Sequence, residues 1–228
     1  MDKSKRQQRL EKKQQAKRQG QMRLVGIVAV VAIGLAALFI FAGQVRVPDV
    51  EHSYDDKNGT LLGNPSAPVL VVEYGDFQCS HCRNFYATTE AQLISTYVET
   101  GDVLYEYRPV DFLGPESSLS AEAALCAADQ NFFWEFHDIL FTNYSTGNSG
   151  GYSEVRLTEF AGALDMDQDE FSACLSSGEK ASTVQTIRTD AAAFGVTGTP
   201  SFLINGQLLG GNVPFGTLSE TIDSYLGG

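Results

Sequence analysis

The sequence has little of what marks a fibrous, disordered or disulfide-stabilised small protein. Its 228 residues include only four cysteines and one tryptophan, and no repeat or low-complexity segment is present. This composition excludes collagen, a disulfide-dense mini-protein and a wholly disordered chain. A chain of this length can bury a full core without covalent support, so we expect one globular domain with an additional segment.

Basic residues are scarce outside the N-terminal segment. Residues 1–43 carry nine lysines and arginines against two acids, whereas residues 44–228 carry seven bases against 26 acids. The acidic balance of the second part argues against a nucleic-acid partner, because binding a phosphate backbone requires basic side chains. Such an acidic surface would also stay soluble at high salt.

A long uncharged run extends from Leu24 to Ala42 and contains 19 residues. A helix of this length matches the ~30 Å hydrocarbon core of a bilayer. Because the nine bases precede the run, the positive-inside rule predicts a cytoplasmic leader at residues 1–23 and an extracytoplasmic domain. A cleaved signal peptide is the alternative, but its hydrophobic region is only ~7–15 residues long, so we favour an uncleaved single-pass anchor in the cell membrane. Residues 43–66 are polar and contain two prolines, which predicts an extended tether.

A CxxC motif follows the clearest strand signal. Ala67–Tyr74 is a continuous apolar run that predicts a buried central strand, and Cys79-Ser80-His81-Cys82 then begins a stretch with helical periodicity. The first turn of a helix presents unpaired N–H groups and a positive dipole end, so we expect the pKa of Cys79 to lie below the ~8.5 of a free thiol. His81 is expected to act in the same direction. A stabilised thiolate favours the reduced protein, which makes the disulfide a stronger oxidant.

A zinc half-site is the alternative use of this motif. Structural zinc needs four ligands, and the sequence has neither a second CxxC nor an HxxxH pair. We therefore expect redox chemistry, with no metal and no bound cofactor. A non-catalytic CxxC module that carries a soft metal ion, such as a metallochaperone, is a function of a different class.

Three blocks together resemble the DsbA-type thioredoxin-fold thiol:disulfide oxidoreductases over about residues 61–227. The blocks are Leu62–Pro65 with Ala67–Val69, Val72–Cys82, and Gly198–Phe202 with Asn205-Gly206. The resemblance implies an α/β thioredoxin-like fold over residues 67–228 with a helical insertion at about 117–182, preceded by the single N-terminal transmembrane helix.

The resemblance also implies roles for individual residues. Cys79 and Cys82 would be the redox pair, with His81 between them. Thr199 and Pro200 match the cis-proline loop of the family, whose backbone hydrogen-bonds to an extended substrate; an ordinary turn is the alternative. Glu73 matches a buried acid that moves the proton of Cys82, although a solvated glutamate at a strand end is also consistent with the sequence.

The middle of the chain, residues 117–194, is predicted to be largely helical. Cys126 and Cys174 each lie in an apolar helical setting, and in an exported protein two such thiols are expected to form a structural disulfide. Two free buried thiols, or a relay pair that exchanges with the CxxC motif, are the alternatives. An aromatic cluster near His137 is expected to belong to the core. Two strands, Ser201–Ile204 and Gln207–Gly210, and a final helix, Phe215–Leu226, are predicted to complete the fold.

The sequence thus predicts an anchored enzyme that donates the Cys79–Cys82 disulfide to unfolded or reduced exported proteins. A quinone-linked membrane partner, similar to DsbB or VKOR, would regenerate the disulfide. A reductase or isomerase on the same fold is the alternative, because Ser80 stands where strong oxidants of this family often have proline.

Overall fold

The structure is a computed structural model that describes residues 18, 22–35, 44–49, 54 and 56–227. The chain forms two compact units, Met1–Gln44 and Val45–Gly228. In the first unit, residues 22–35 are helical and exposed. Within the described segments, no helix combines the length and the apolarity that a membrane span requires. Residues 36–42 of the predicted anchor lie outside these segments.

The second unit is built on one six-stranded sheet with the order β1-β2-β4-β3-β5-β6. The strands are β1 (Lys57–Asn58), β2 (Leu61–Leu62), β3 (Val69–Gly75), β4 (Val103–Pro109), β5 (Ser201–Ile204) and β6 (Gln207–Gly210). The two central strands, β3 and β4, are parallel, and the other neighbours are antiparallel. Because β3 lies between β4 and β5 and is covered on both faces, it appears in the sequence as a continuous apolar run.

The first two strands correct the prediction of an extended tether over residues 43–66. They form a hairpin whose turn contains Gly59 at a φ of 58°, and β2 pairs with Tyr105 and Glu106 of β4. Leu62 is buried in the core. Two-residue strands are too short to show the alternation that identifies a strand in a sequence.

Helices cover both faces of the sheet. The segment after the CxxC motif consists of α1 (Ser80–Phe85), a π-helical turn (Tyr86–Glu90), α2 (Ala91–Leu93) and a second π-helical turn (Ile94–Val98). The insertion contains α3 (Pro115–Asp129), α4 (Phe133–Thr142), α5 (Glu154–Ala163), α6 (Gln168–Ser177) and α7 (Ala181–Ala193), and α8 (Phe215–Leu226) ends the fold. The helical insertion therefore begins and ends close to the predicted helical region.

A disulfide joins two helices of the insertion, and an aromatic core packs the insertion against the sheet. Cys126 on α3 is bonded to Cys174 on α6, as expected for an exported protein. The largest buried side chains of the core are aromatic and come from both the sheet and the insertion: Phe77, Tyr105, Tyr107, Phe133, Trp134 and Phe141. His137 is buried among them, as predicted.

Candidate active site

The CxxC motif lies where the central strand passes into a helix. β3 ends at Gly75, and Cys79 is the N-terminal cap of α1. Both thiols are unbonded, and both are shielded from solvent, Cys79 being 8% and Cys82 1% exposed. The sequence prediction of a thiol at a helix start is therefore confirmed.

Cys79 is the acidic thiol of the pair. The pKa of Cys79 is lowered to about 5. The largest cause is a hydrogen bond from the Cys82 thiol, and burial acts in the opposite direction. The Thr199 side chain and the backbone N–H groups of Cys82 and His81 lower this pKa further. The His81 side chain itself is exposed, so the contribution found for this residue comes from its backbone. A thiolate is thus the dominant form of Cys79 at neutral pH.

Cys82 is held in the opposite state. Burial raises its pKa well above the ordinary value, and the hydrogen bond to Cys79 and the charge of Glu73 act in the same direction. The Cys82 sulfur also accepts the backbone N–H of Asp76 at 3.5 Å. The two thiols therefore differ strongly in acidity, with a nucleophile at Cys79 and a protonated partner at Cys82.

Glu73 lies on β3 and is fully buried, which excludes the alternative of a solvated strand end. Its carboxyl group accepts a hydrogen bond from Tyr105 at 2.5 Å. Burial raises the pKa of Glu73 to about 8, and the negative charge of Cys79 contributes in the same direction. A carboxyl group with a pKa near neutrality can both donate and accept a proton under physiological conditions.

The loop before β5 approaches the reactive sulfur. The Thr199–Pro200 peptide bond is cis, as the resemblance implies. The carbonyl oxygen of Thr199 lies 3.3 Å from Cys79 Sγ and accepts a hydrogen bond from the protonated thiol. The structure therefore brings together the CxxC motif and the predicted substrate-binding residues, which are 120 positions apart in the sequence.

Asp76 is a site residue that the sequence did not identify. It is fully buried, and its carboxylate accepts hydrogen bonds from the backbone of Gln78 at 2.8 Å and the Ser117 hydroxyl at 2.8 Å. It also accepts the N–H groups of Phe112 at 2.9 Å and Leu113 at 3.2 Å. Asp76 thus connects the catalytic loop to the start of the insertion. A Gly-Asp pair after a strand predicts only a turn, so these distant partners could not be inferred from it.

Among the described residues, two groups of side chains have the ligand types of a metal ion. Asp129, Cys174 and Glu179 form the first, but the Cys174 sulfur is bonded to Cys126 and offers no thiolate. The second group, Glu90, His137 and Asp138, is buried below the sheet-to-helix junction and was not identified from the sequence.

Known proteins are similar to this chain in sequence and in fold. The family model described as thioredoxin matches residues 55–224. A Bacillus anthracis protein named "Probable disulfide bond formation protein D" is 32% identical over 169 residues, which are 72% of this chain and 77% of that protein. A Salinispora arenicola protein named "Na(+)/H(+) antiporter NhaA 1" is 29% identical over 89% of this chain, and the chain spans only 32% of its length. The crystal structure of oxidised BdbD from Bacillus subtilis is similar with a TM-score of 0.70 and 25% identity, covering 78% of this chain and 98% of that one.

Proposed function

The chain belongs to the thioredoxin family, among its DsbA-type thiol:disulfide oxidoreductases, and we propose that it donates the Cys79–Cys82 disulfide to reduced proteins outside the cytoplasm. The observation that carries the direction of transfer is the difference in acidity between the two thiols. Because the Cys79 thiolate exists only in the reduced enzyme, its stabilisation favours reduction of the enzyme and oxidation of the substrate.

The reaction proceeds by two thiol exchanges. A substrate thiolate attacks Cys79 Sγ, the Cys79–Cys82 bond breaks, and Cys82 leaves as a thiolate that takes up a proton. A second substrate thiolate then attacks the substrate sulfur of the mixed disulfide, and Cys79 leaves as a thiolate. The two electrons of the substrate thiols end on the enzyme. The low pKa of Cys79 makes it the better leaving group in the second step.

Glu73 is proposed to supply the proton to Cys82. It is buried on the strand that leads to the motif, and its charge acts on the Cys82 thiol. An acid is useful at this position because the leaving thiolate of Cys82 would otherwise be a buried charge. The backbone of Thr199 is proposed to align an extended substrate segment next to Cys79, since its carbonyl oxygen already lies within 3.3 Å of the sulfur.

We further propose that Leu24–Ala42 anchors the enzyme and that the acidic domain lies outside the cytoplasm. The support is the uncharged run and the nine bases that precede it. Unfolded or reduced exported proteins would be the substrates. Each turnover leaves two electrons on the enzyme, so a membrane partner that passes them to quinone, similar to DsbB or VKOR, is proposed to regenerate the disulfide.

The reduction potential tests this direction. Purified enzyme is equilibrated with glutathione buffers of known ratio, and the Cys79–Cys82 dithiol and disulfide are quantified. We expect a potential much closer to the ~-120 mV of DsbA than to the ~-270 mV of thioredoxin. A potential near that of thioredoxin would assign the enzyme to the reductase alternative. Cys79→Ser serves as the control, because it removes the attacked sulfur but leaves Cys82 and the Cys126–Cys174 bridge.

A further inference from the structure

A second group of buried ionisable side chains lies beneath the active site and takes no part in the steps above. Glu90 ends the π-helical turn Tyr86–Glu90, and His137 and Asp138 lie on α4. Glu90 is 2% exposed, and the other two are completely buried. Asp138 uses both of its oxygens: Oδ1 lies 3.0 Å from His137 Nδ1, and Oδ2 accepts the Tyr54 hydroxyl at 2.6 Å.

The contact with Asp138 assigns the tautomer of His137. Because a carboxylate only accepts, Nδ1 carries the hydrogen and Nε2 is left to face Glu90. Nε2 lies 3.7 Å from Glu90 Oε2, and neither Nε2 nor Glu90 Oε1 has a hydrogen-bond partner among the described residues. A buried polar group without a hydrogen-bond partner is energetically unfavourable. A proton between Nε2 and Oε2, with an approach of about 1 Å, would give the imidazole nitrogen a hydrogen-bond partner.

The described surroundings of these acids are aromatic or acidic. Six rings enclose the imidazole: Phe77, Tyr86, Tyr107, Phe133, Trp134 and Phe141. In the described part of the chain, no lysine or arginine forms an ion pair with Glu90 or Asp138. The other ionisable groups that face the cluster are all acids or phenols: Glu73, Tyr54, Tyr86, Tyr105 and Tyr107.

The cluster is electrostatically connected to the catalytic thiols. After burial, the charge of Glu73 is the largest influence that raises the pKa of Glu90. The charge of Cys79 in turn raises the pKa of Glu73. Two neighbouring buried carboxyl groups resist simultaneous ionisation. A change of charge at Cys79 therefore affects the pKa of Glu90 through the ionisation of Glu73.

We propose that Glu90, His137 and Asp138 form a relay that holds one proton beneath the active site. When Glu73 is neutral, the proton is shared between His137 Nε2 and Glu90 Oε2. When negative charge builds up on Glu73, the Nε2–H bond breaks and an O–H bond forms at Glu90 Oε2, while the His137 Nδ1 hydrogen stays directed at Asp138. No electron moves and no proton leaves the cluster. Glu90 and His137 are thus positioning residues that control how readily Glu73 ionises, an inference that rests on the proposed role of Glu73.

A metal site is the competing interpretation of the same side chains. The two oxygens of Asp138 are already used by His137 and Tyr54, so only His137 Nε2 and the Glu90 carboxylate face the space between them. Two protein residues are fewer than the three or four that hold zinc in proteins. The geometry therefore favours a shared proton.

Infrared difference spectroscopy of the full chain, reduced minus oxidised, tests the relay. Protonated carboxyl groups absorb apart from carboxylates, and only those that respond to the redox state appear in the difference. We expect one signal that Glu73→Gln removes and a second that Glu90→Gln removes. His137→Gln should abolish the second signal and keep the first. Glu116→Gln is the matched control, since Glu116 is also buried but accepts only the backbone of the loop before α5, and it should leave both signals.

The pH dependence of the reduction potential is the second measurement. A two-electron couple falls by ~30 mV per pH unit for each proton taken up, so ionisation of Glu73 appears as a break in the slope. In the Glu90→Gln variant, the neutral form of Glu73 is no longer stabilised by the carboxyl group of Glu90. The break in the slope of potential against pH should therefore move to lower pH. Glu90→Asp keeps a carboxyl group and should restore the break toward the wild-type position, and Glu116→Gln should not move it.

The outcomes separate this inference from the proposed function. An unmoved break in a folded Glu90→Gln variant, with the Glu73 signal still present, overturns the relay alone. If Glu73→Gln changes neither spectrum nor slope, the proposed acid fails and the relay with it. Stoichiometric metal in the purified protein that is lost in His137→Gln would also overturn the relay, in favour of a metal site.

Discussion

The acidity of Cys79 is the most direct quantitative consequence of the active site. A decrease in the pKa from the ordinary value of about 9 to about 5 corresponds to ~5 kcal/mol in favour of the thiolate. Solvent screening changes this little, because the side chain is only 8% exposed. The largest influence is the hydrogen bond from Cys82, so Cys82→Ala should raise the pKa of Cys79 toward its ordinary value.

The same shift makes the stability of the reduced enzyme depend on pH. An unfolded cysteine ionises near pH 8.5, so the lower folded-state pKa of Cys79 stabilises the fold above pH 5 and contributes nothing well below it. The stabilisation grows with pH and is complete only above ~8.5. At pH 7 it amounts to ~2.7 kcal/mol. The oxidised enzyme has no thiolate and lacks this term.

Two assays check the shift. Thiolate absorbance of the reduced enzyme, with the Cys126–Cys174 bridge verified by mass spectrometry, should show half-ionisation near pH 5. Urea unfolding should show that the reduced form gains ~2.7 kcal/mol relative to the oxidised form between pH 4 and pH 7. Half-ionisation near pH 8.5, or an equal pH dependence of both forms, would refute the reasoning.

Three further variants test the buried acid, the end of the central strand and the disulfide. The folded-state pKa of Glu73, about 8, is above the ordinary value, so the stability of the wild type falls as the pH rises from ~4 to 8. At pH 8, Glu73→Gln should therefore be more stable than the wild type in urea unfolding, by up to ~5 kcal/mol. The same pH dependence in both proteins would contradict this. Gly75→Ala would place a Cβ against the hydroxyl of Tyr107 and should lower stability by ~1–3 kcal/mol in thermal unfolding. An unchanged melting temperature would show that the tyrosine can move. Replacing both Cys126 and Cys174 with alanine opens a loop of 48 residues and should lower the free energy of unfolding by up to ~4 kcal/mol. Thiol exchange at the CxxC motif should continue. Loss of exchange in the folded variant would favour the relay-pair alternative.

The sequence predicted elements whose signals are local. The bounds of β5, β6 and α8 agree with the prediction, because an Asn-Gly turn separates the two strands and an apolar stripe marks the helix. The CxxC motif was placed correctly at the strand-to-helix junction, since strand and helix periodicities meet there.

Contacts between distant segments could not be predicted in this way. Glu90 faces the core within a π-helical turn, and a pattern search with 3.6 residues per turn does not anticipate that geometry. Its approach to His137 joins positions 47 residues apart. Asp76 likewise binds groups from the start of the insertion, and a single aspartate after a strand does not reveal such partners.

The hydrogen bonds of Asp76 bear on attempts to miniaturise this enzyme. A version trimmed to the strands and helices of a minimal thioredoxin would lose Ser117 and the segment that presents Phe112 and Leu113. It would leave a buried carboxylate with only the Gln78 N–H as donor, three residues before the nucleophile. Grafting the catalytic loop onto another scaffold therefore requires transferring the first turn of α3 with it, or replacing residue 76 with an apolar side chain.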